Sequence, residues 1–269
     1  MRKFFRTALL LLFLIGAAYC GYQIYDILQE YQLGVELYTN VQQHIVLPAV
    51  KYSQLEQGIT FPETSTSSMP SETTPSAPKP EILFPEVDFP GLLEMSQDVV
   101  GWIYIEGTNI NYPIVQGFDN RYYVSTLIDG TPNDAGSIFM DFQNTADFSD
   151  AHTVLYGHNM KNGTMFHDIV NYQKQEFYDQ NSIGLIMTPE KNYYFEIVSA
   201  YIASLADPAW QLEFVDEADA LQWLQDSIAR SSIVGSTQPQ PGDRIITLST
   251  CTYEFNDARF VLVGILKEG

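Results

Sequence analysis

The hydrophobic pattern changes character three times along the chain. From Ala8 to Ala18 no polar side chain interrupts the run ALLLLFLIGAA. Tyr19 to Tyr25 extends it, more weakly, to about 18 residues, enough to cross a bilayer. Arg2, Lys3 and Arg6 precede it, and positive charge on that side keeps the N-terminus in the cytoplasm and sends the rest outward. A cleaved signal peptide shares the basic start and apolar run. Here bulky Tyr19 follows Ala17-Ala18 and amphipathic sequence continues without a small-residue exit, which favours an uncleaved anchor. Cys20 lies in or near the span and reads as a small apolar filler. Beyond it, Ile24, Ile27, Leu28, Tyr31, Val35, Tyr38, Val41 and Ile45 recur every three or four residues, which predicts a helix leaving the membrane. Gly34 weakens that helix and Pro48 ends it.

The second change is at Pro62–Pro80, where five of 19 residues are Pro and nine are Ser or Thr. Such a stretch buries no core; it would reach ~59 Å as polyproline-like chain or ~24 Å as a loose coil. It is read as a spacer holding a head away from the membrane. The third change is to short β-prone segments bounded by turn residues. Strands are predicted at Trp102–Glu106, Ile110–Val115, Ser137–Asp141, Thr153–Tyr156, Ile183–Met187, Tyr193–Ser204, Arg244–Thr250 and Arg259–Leu266. Gly107-Thr108-Asn109, Asp129-Gly130-Thr131-Pro132-Asn133 and Pro241-Gly242-Asp243 punctuate them. Helices are predicted at Gly91–Gln97, Met165–Tyr172 and Glu217–Arg230. In the last, Asp216 is the cap and Ala220, Leu221, Leu224 and Ile228 form one apolar stripe. Eight short strands with few helices predict a mostly β fold, a closed or nearly closed barrel. The chain thus divides into an anchor (1–25), a helical stalk (26–60), a linker (61–80) and an extracellular head (81–269) of single-domain size.

Charge narrows the choice of function. Lys and Arg total 13 against 33 Asp and Glu, a net charge of −20. Nucleic-acid binding needs clustered cations and is excluded, as is a polybasic grip on lipid. Two cysteines, Cys20 and Cys251, build neither a disulfide scaffold nor a thiolate zinc site. The histidines (His44, His152, His158, His167) show no metal-ligand spacing, so no metal is expected. His152 and His158 lie six apart, on one side of a regular strand, with no third ligand spaced to complete a site.

One constellation can carry chemistry. Cys251 ends the β-prone run Arg244–Cys251, and Arg259 opens the next such run. Paired as an antiparallel hairpin, the two become cross-strand neighbours with Cβ atoms ~5 Å apart. A thiol beside a guanidinium is a plausible nucleophile, since the thiolate attacks, and the Arg can hold an oxyanion. His158, after the strand ending at Tyr156, sits on a Gly-bearing loop where it can exchange protons. The bland alternatives are a buried apolar Cys, a surface His and an ordinary ion-paired Arg; spacing alone leaves both readings open.

Thr153-Val154-Leu155-Tyr156-Gly157-His158-Asn159-Met160 resembles the histidine motif of the sortases. Thr247-Leu248-Ser249-Thr250-Cys251 resembles their TLxTC motif, and Arg259 stands where that family places its arginine. Val100–Ile103 with Tyr112–Gln116, Gly136–Asp141 and Lys161–Phe166 resemble class B sortases in particular, as does a long helix between the sixth and seventh barrel strands. The resemblance implies an eight-stranded sortase barrel and a cysteine transpeptidase. Cys251 would attack the Thr carbonyl of a secreted protein's C-terminal sorting signal. His158 would transfer protons, and Arg259 would hold the backbone and oxyanion. An amine acceptor, either a lipid-linked peptidoglycan precursor or a pilin Lys, would resolve the thioester. Ser249, Thr250 and Asn159 are candidate substrate-binding residues. A thiol peptidase hydrolysing the same acyl-enzyme, and a non-catalytic wall-binding protein, are the alternatives.

Overall fold

In the computed structural model, residues 2–48, 82–251 and 257–269 are described. All eight predicted barrel strands are present, with no end moved by more than three residues. They are β3 (Val99–Tyr104), β4 (Asn111–Val115), β5 (Ile138–Met140), β6 (His152–Tyr156), β7 (Ile183–Met187), β8 (Asn192–Ala203), β9 (Arg244–Cys251) and β10 (Arg259–Glu268). They close in the order β10-β8-β7-β3-β4-β5-β6-β9. Two pairs, β4–β5 and β6–β9, are parallel, which their long connections permit; the rest are antiparallel.

Side-chain alternation divides the apolar residues between two cores. Ile246, Leu248, Phe260 and Leu262 join the main cluster with Trp102 and Ile114. Their sequence neighbours Ile245, Val261 and Val263 join a second cluster with Trp223 and Leu224. These last two lie on α4 (Glu217–Ala229), the helix between the sixth and seventh barrel strands. Asp216 caps α4, accepting from the Ala218 and Asp219 amides. Its buried face is Ala220, Trp223, Leu224 and Ser227, rotated slightly from the predicted stripe because Trp223 supplies more apolar area than Leu221.

The helix predicted at Met165–Tyr172 is a 3-10 helix, His167–Gln173. Phe166, Ile169 and Tyr172 are all buried, and three residues per turn place them on one face. A short α-helix, α3 (Gln175–Gln180), follows, and α2 (Phe89–Met95) precedes β3.

The N-terminal helix α1 (Arg2–Val41) differs most from the sequence reading. It is long and apolar enough to cross a membrane, yet its C-terminal third is packed on the barrel. Gly34, Tyr38, Val41 and then Ile45 are buried at the spacing of one helix face. The Tyr38 hydroxyl donates to the Gly136 carbonyl at 2.8 Å, and Asn133 donates to the Glu30 carbonyl at 2.8 Å. After α1, β1 (Ile45–Val46) pairs with β2 (Glu86–Val87). The two flanks of the Pro/Ser/Thr run are therefore tied side by side. The run itself lies outside the described residues, but it joins two neighbouring strands instead of standing in series between α1 and the barrel.

Candidate active site

Strand register builds the site. Cys251 and Arg259 are Cα partners at the open ends of β9 and β10, as the hairpin reading predicts. The Cys251 backbone is the last described position of β9. Arg259 pairs on its other side with Ala203 of β8. Parallel pairing of β6 with β9 sets Tyr156 beside Ser249, so the loop after β6 emerges at the same rim. That loop carries His158. Gly157 is required there, because a Cβ would come within 2.4 Å of Ile138 and 2.8 Å of the Phe166 ring.

Thr250, Ser249, Arg259 and His158 border one groove of about 360 Å³, a ligand-sized volume. Tyr156 and Phe139, with ring centres 5.2 Å apart, also line it. The Tyr156 hydroxyl donates to Asp141 at 2.9 Å. Burial, together with that carboxylate, pushes the phenol well above its ordinary range. His158 Nε2 lies 2.7 Å from the Val124 carbonyl. A carbonyl only accepts, so Nε2 carries the proton in this contact. Arg259 donates to the Ala258 carbonyl at 3.1 Å. Among the described residues no carboxylate forms an ion pair with it, so the bland reading of that Arg loses its partner.

The three secondary candidates separate. Thr250 borders the groove, and its buried hydroxyl has no partner among the described residues. Ser249 is engaged: its Oγ accepts the Trp210 indole N–H at 3.1 Å. Asn159 turns the other way, with Oδ1 2.8 Å from His167 Nδ1, and lines a second groove with Tyr31 of α1.

Several lining residues escaped the sequence reading. Leu205 and Trp210 come from the connection between β8 and α4, and Asn120 and Val124 from the one between β4 and β5. The cluster of large apolar residues in that connection (Leu205, Trp210, Leu212 and Phe214) was the one available signal. The loop carrying Trp210 is pinned by His152. Its ring lies between the Gln211 carbonyl and the Thr247 hydroxyl, 2.7 Å from each. It also packs 4.7 Å from the Trp223 ring. Nδ1–H must donate to the carbonyl, so Nε2 accepts from Thr247. Burial lowers the pKa of His152 to about 4.

Comparison with known proteins fixes the family. Residues 103–267 match the sortase domain, more than half of the chain. The chain belongs to the sortase family. It is 31% identical over 238 residues to a sortase B of Listeria monocytogenes, covering 88% of this chain and 89% of that one. It is 33% identical over 179 residues to a sortase B of Staphylococcus aureus, covering 66% and 73%. Among solved structures, an S. aureus sortase B–substrate complex superposes with a TM-score of 0.64 at 33% identity, covering 67% of this chain and 84% of that chain. Clostridium perfringens sortase B gives 0.63 at 33%, covering 66% and 98%. The resemblance to class B sortases and the eight-stranded barrel are both borne out. A sortase of this class is a transpeptidase that acts on sorting signals and amine acceptors.

Proposed function

We propose that this sortase cleaves a C-terminal sorting signal through a Cys251 thioester. The observation that supports the reading is the pairing of the Cys251 backbone with Arg259 at the barrel rim where Arg259 and His158 border one groove of about 360 Å³. The Cys251 thiolate attacks the Thr carbonyl carbon, and the carbonyl π electrons move to oxygen. The Arg259 guanidinium holds that oxyanion. As the C–N bond breaks, His158 gives its proton to the leaving amine. The acceptor amine then attacks the thioester, His158 takes its proton, and Cys251 leaves as thiolate. Nε2–H of His158 has to turn from the Val124 carbonyl to serve the leaving nitrogen. Thr250 lines the groove beside the bound backbone, while Ser249 shapes the wall through Trp210; Asn159 would contribute from the outer side of the histidine loop. The chemistry calls for no metal or organic cofactor.

Residues 1–25 form the membrane anchor in this reading, with the N-terminus cytoplasmic and residues 81–269 the extracellular catalytic domain. The stalk (26–60) and linker (61–80) lie between them in sequence. The packed end of α1 adds residues 30–46 to the folded body. Substrates are secreted proteins with a sorting signal. The acceptor is a lipid-linked peptidoglycan precursor or a pilin Lys.

Intact mass spectrometry with sorting-signal peptides tests this. A covalent adduct on the wild type, absent from Cys251→Ala and discharged into a conjugate by added amine, supports transpeptidation. Discharge only to the free acid favours a peptidase. Turnover retained in Cys251→Ala refutes the mechanism.

A further inference from the structure

α1 leaves the barrel beside the candidate active site. Upstream of Glu30 every described side chain of the helix is exposed, so docking begins there. Tyr31, one residue on, lines a groove of about 400 Å³ with Val124, Ser125, Asp134 and His158. The helix is continuous through this point. The last uncharged stretch ends at Tyr25, and Tyr19, Tyr22 and Tyr25 are exposed on it, where interfacial tyrosines belong. From Asp26 to Tyr31 the rise is only ~8 Å.

The same rim carries exposed apolar residues. Phe118 is 79% exposed, Tyr122 40% and Val124 38%. The Phe118 and Tyr122 rings lie 6.1 Å apart. With Asp119, Asp129 and Asp134 against Arg121 and Lys161, the rim offers no polybasic grip on anionic lipid. Aromatic residues there match the chemistry of a bilayer interface, and the patch is continuous with the helix that would span it.

We propose that the rim bearing Phe118, Tyr122, Val124 and the His158 loop faces the lipid bilayer, and that α1, not the Pro/Ser/Thr run, sets its height. The proposal rests on the membrane anchoring proposed above. Its consequence is that the catalytic groove opens within about 10 Å of the lipid surface, given the 1.5 Å rise per helical residue. A lipid-linked acceptor can then reach it without extraction. The run at 62–80 leaves and re-enters the body at the paired strands β1 and β2, so its length does not enter the height.

The test uses the full chain in phosphatidylcholine/phosphatidylglycerol vesicles, in a Cys20→Ala, Cys251→Ala background. A dye at Lys161→Cys reports energy transfer to a headgroup-labelled lipid. A second label at Glu190→Cys sits beyond the opposite end of β8, a strand ~36 Å long. Transfer is expected to be stronger from 161 than from 190. Insertion of seven alanines between Asp26 and Ile27 adds about two turns, lifting the rim ~10 Å with little rotation; transfer from 161 should fall. Deletion of 61–80 should leave it unchanged. A polarity-sensitive dye at Phe118→Cys should shift to the blue on reconstitution. Transfer that follows the deletion and not the insertion, or no preference for 161 over 190, overturns the proposal. An unshifted dye at 118 overturns the lipid contact and assigns the patch to a protein partner. Flotation of the chain with the vesicles checks anchoring separately, and acylation of the wild type by soluble peptide checks the enzyme reading, so a failure of either premise is distinguishable.

Discussion

Replacing His152 by Phe separates what its ring packs against from what its nitrogens bond. The ring volume and the stacking on Trp223 and Phe214 are largely kept. The Gln211 carbonyl and Thr247 hydroxyl, each 2.7 Å from the imidazole, lose their partner. An unpaired buried polar group costs about 1–3 kcal/mol, and half-buried Gln211 can recover part from water, so the loss at pH 7 is about 2–4 kcal/mol. In a fold of this size that lowers Tm by about 5–15 °C. The pH dependence supplies the sharper check. Burial depresses the His152 pKa from 6.5 to about 4. The unfolded chain therefore binds a proton first as the pH falls, and the wild type loses stability between pH 6.5 and 4. The loss is about 3 kcal/mol, at 1.36 kcal/mol per pH unit. Phe cannot titrate, and the carboxylates common to both proteins cancel in the difference. The gap between the two proteins should thus shrink from pH 7 and nearly close by pH 4. Urea titrations of both chains in detergent, followed by tryptophan fluorescence, measure it. A gap as wide at pH 4.5 as at pH 7 would refute a neutral, doubly bonded His152. Because Gln211 adjoins Trp210, the variant should also raise KM for a sorting-signal peptide.

Four further outcomes follow from other contacts. Arg259→Lys keeps a charge but loses the planar fork, and kcat should drop about 10²- to 10³-fold; near-normal turnover would remove Arg259 from the oxyanion role. Trp210→Phe keeps the apolar wall but loses the bond to Ser249, worth about 0.5–1.5 kcal/mol, so KM should rise about 2- to 10-fold; steady-state kinetics at unchanged kcat would show it. Tyr38→Phe removes the hydroxyl that bonds Gly136 and Ser137 and should cost about 1–3 kcal/mol. A chain trimmed to 82–269 should likewise melt below one trimmed to 26–269, and equal melting of the two would mean that the end of α1 adds nothing to the body.

Much of the fold was legible because it is written in short-range periodicity. Short β-prone runs between turn residues specified each barrel strand, and a cap plus three- and four-residue spacing specified α4. The hairpin register of Cys251 with Arg259 followed from two strands joined by a short loop, so the centre of the candidate site needed little tertiary information. The histidine loop was recognisable by its residues, but its approach to β9 depends on the parallel pairing of β6 and β9, which no local pattern states. The walls of the groove depend wholly on such distant meetings. Trp210 reaches Ser249 across 39 residues, and His158 reaches Val124 across 34. The end of α1 was read correctly as a helix and placed as a spacer. Its apolar stripe was visible, but the surface that covers it is built some seventy to a hundred residues later, by Asn111 and Tyr112 of β4 and by Asn133 and Gly136. A periodic stripe says that a face will be buried. Only barrel closure, which sets β4 and the β4–β5 connection side by side, decides what buries it.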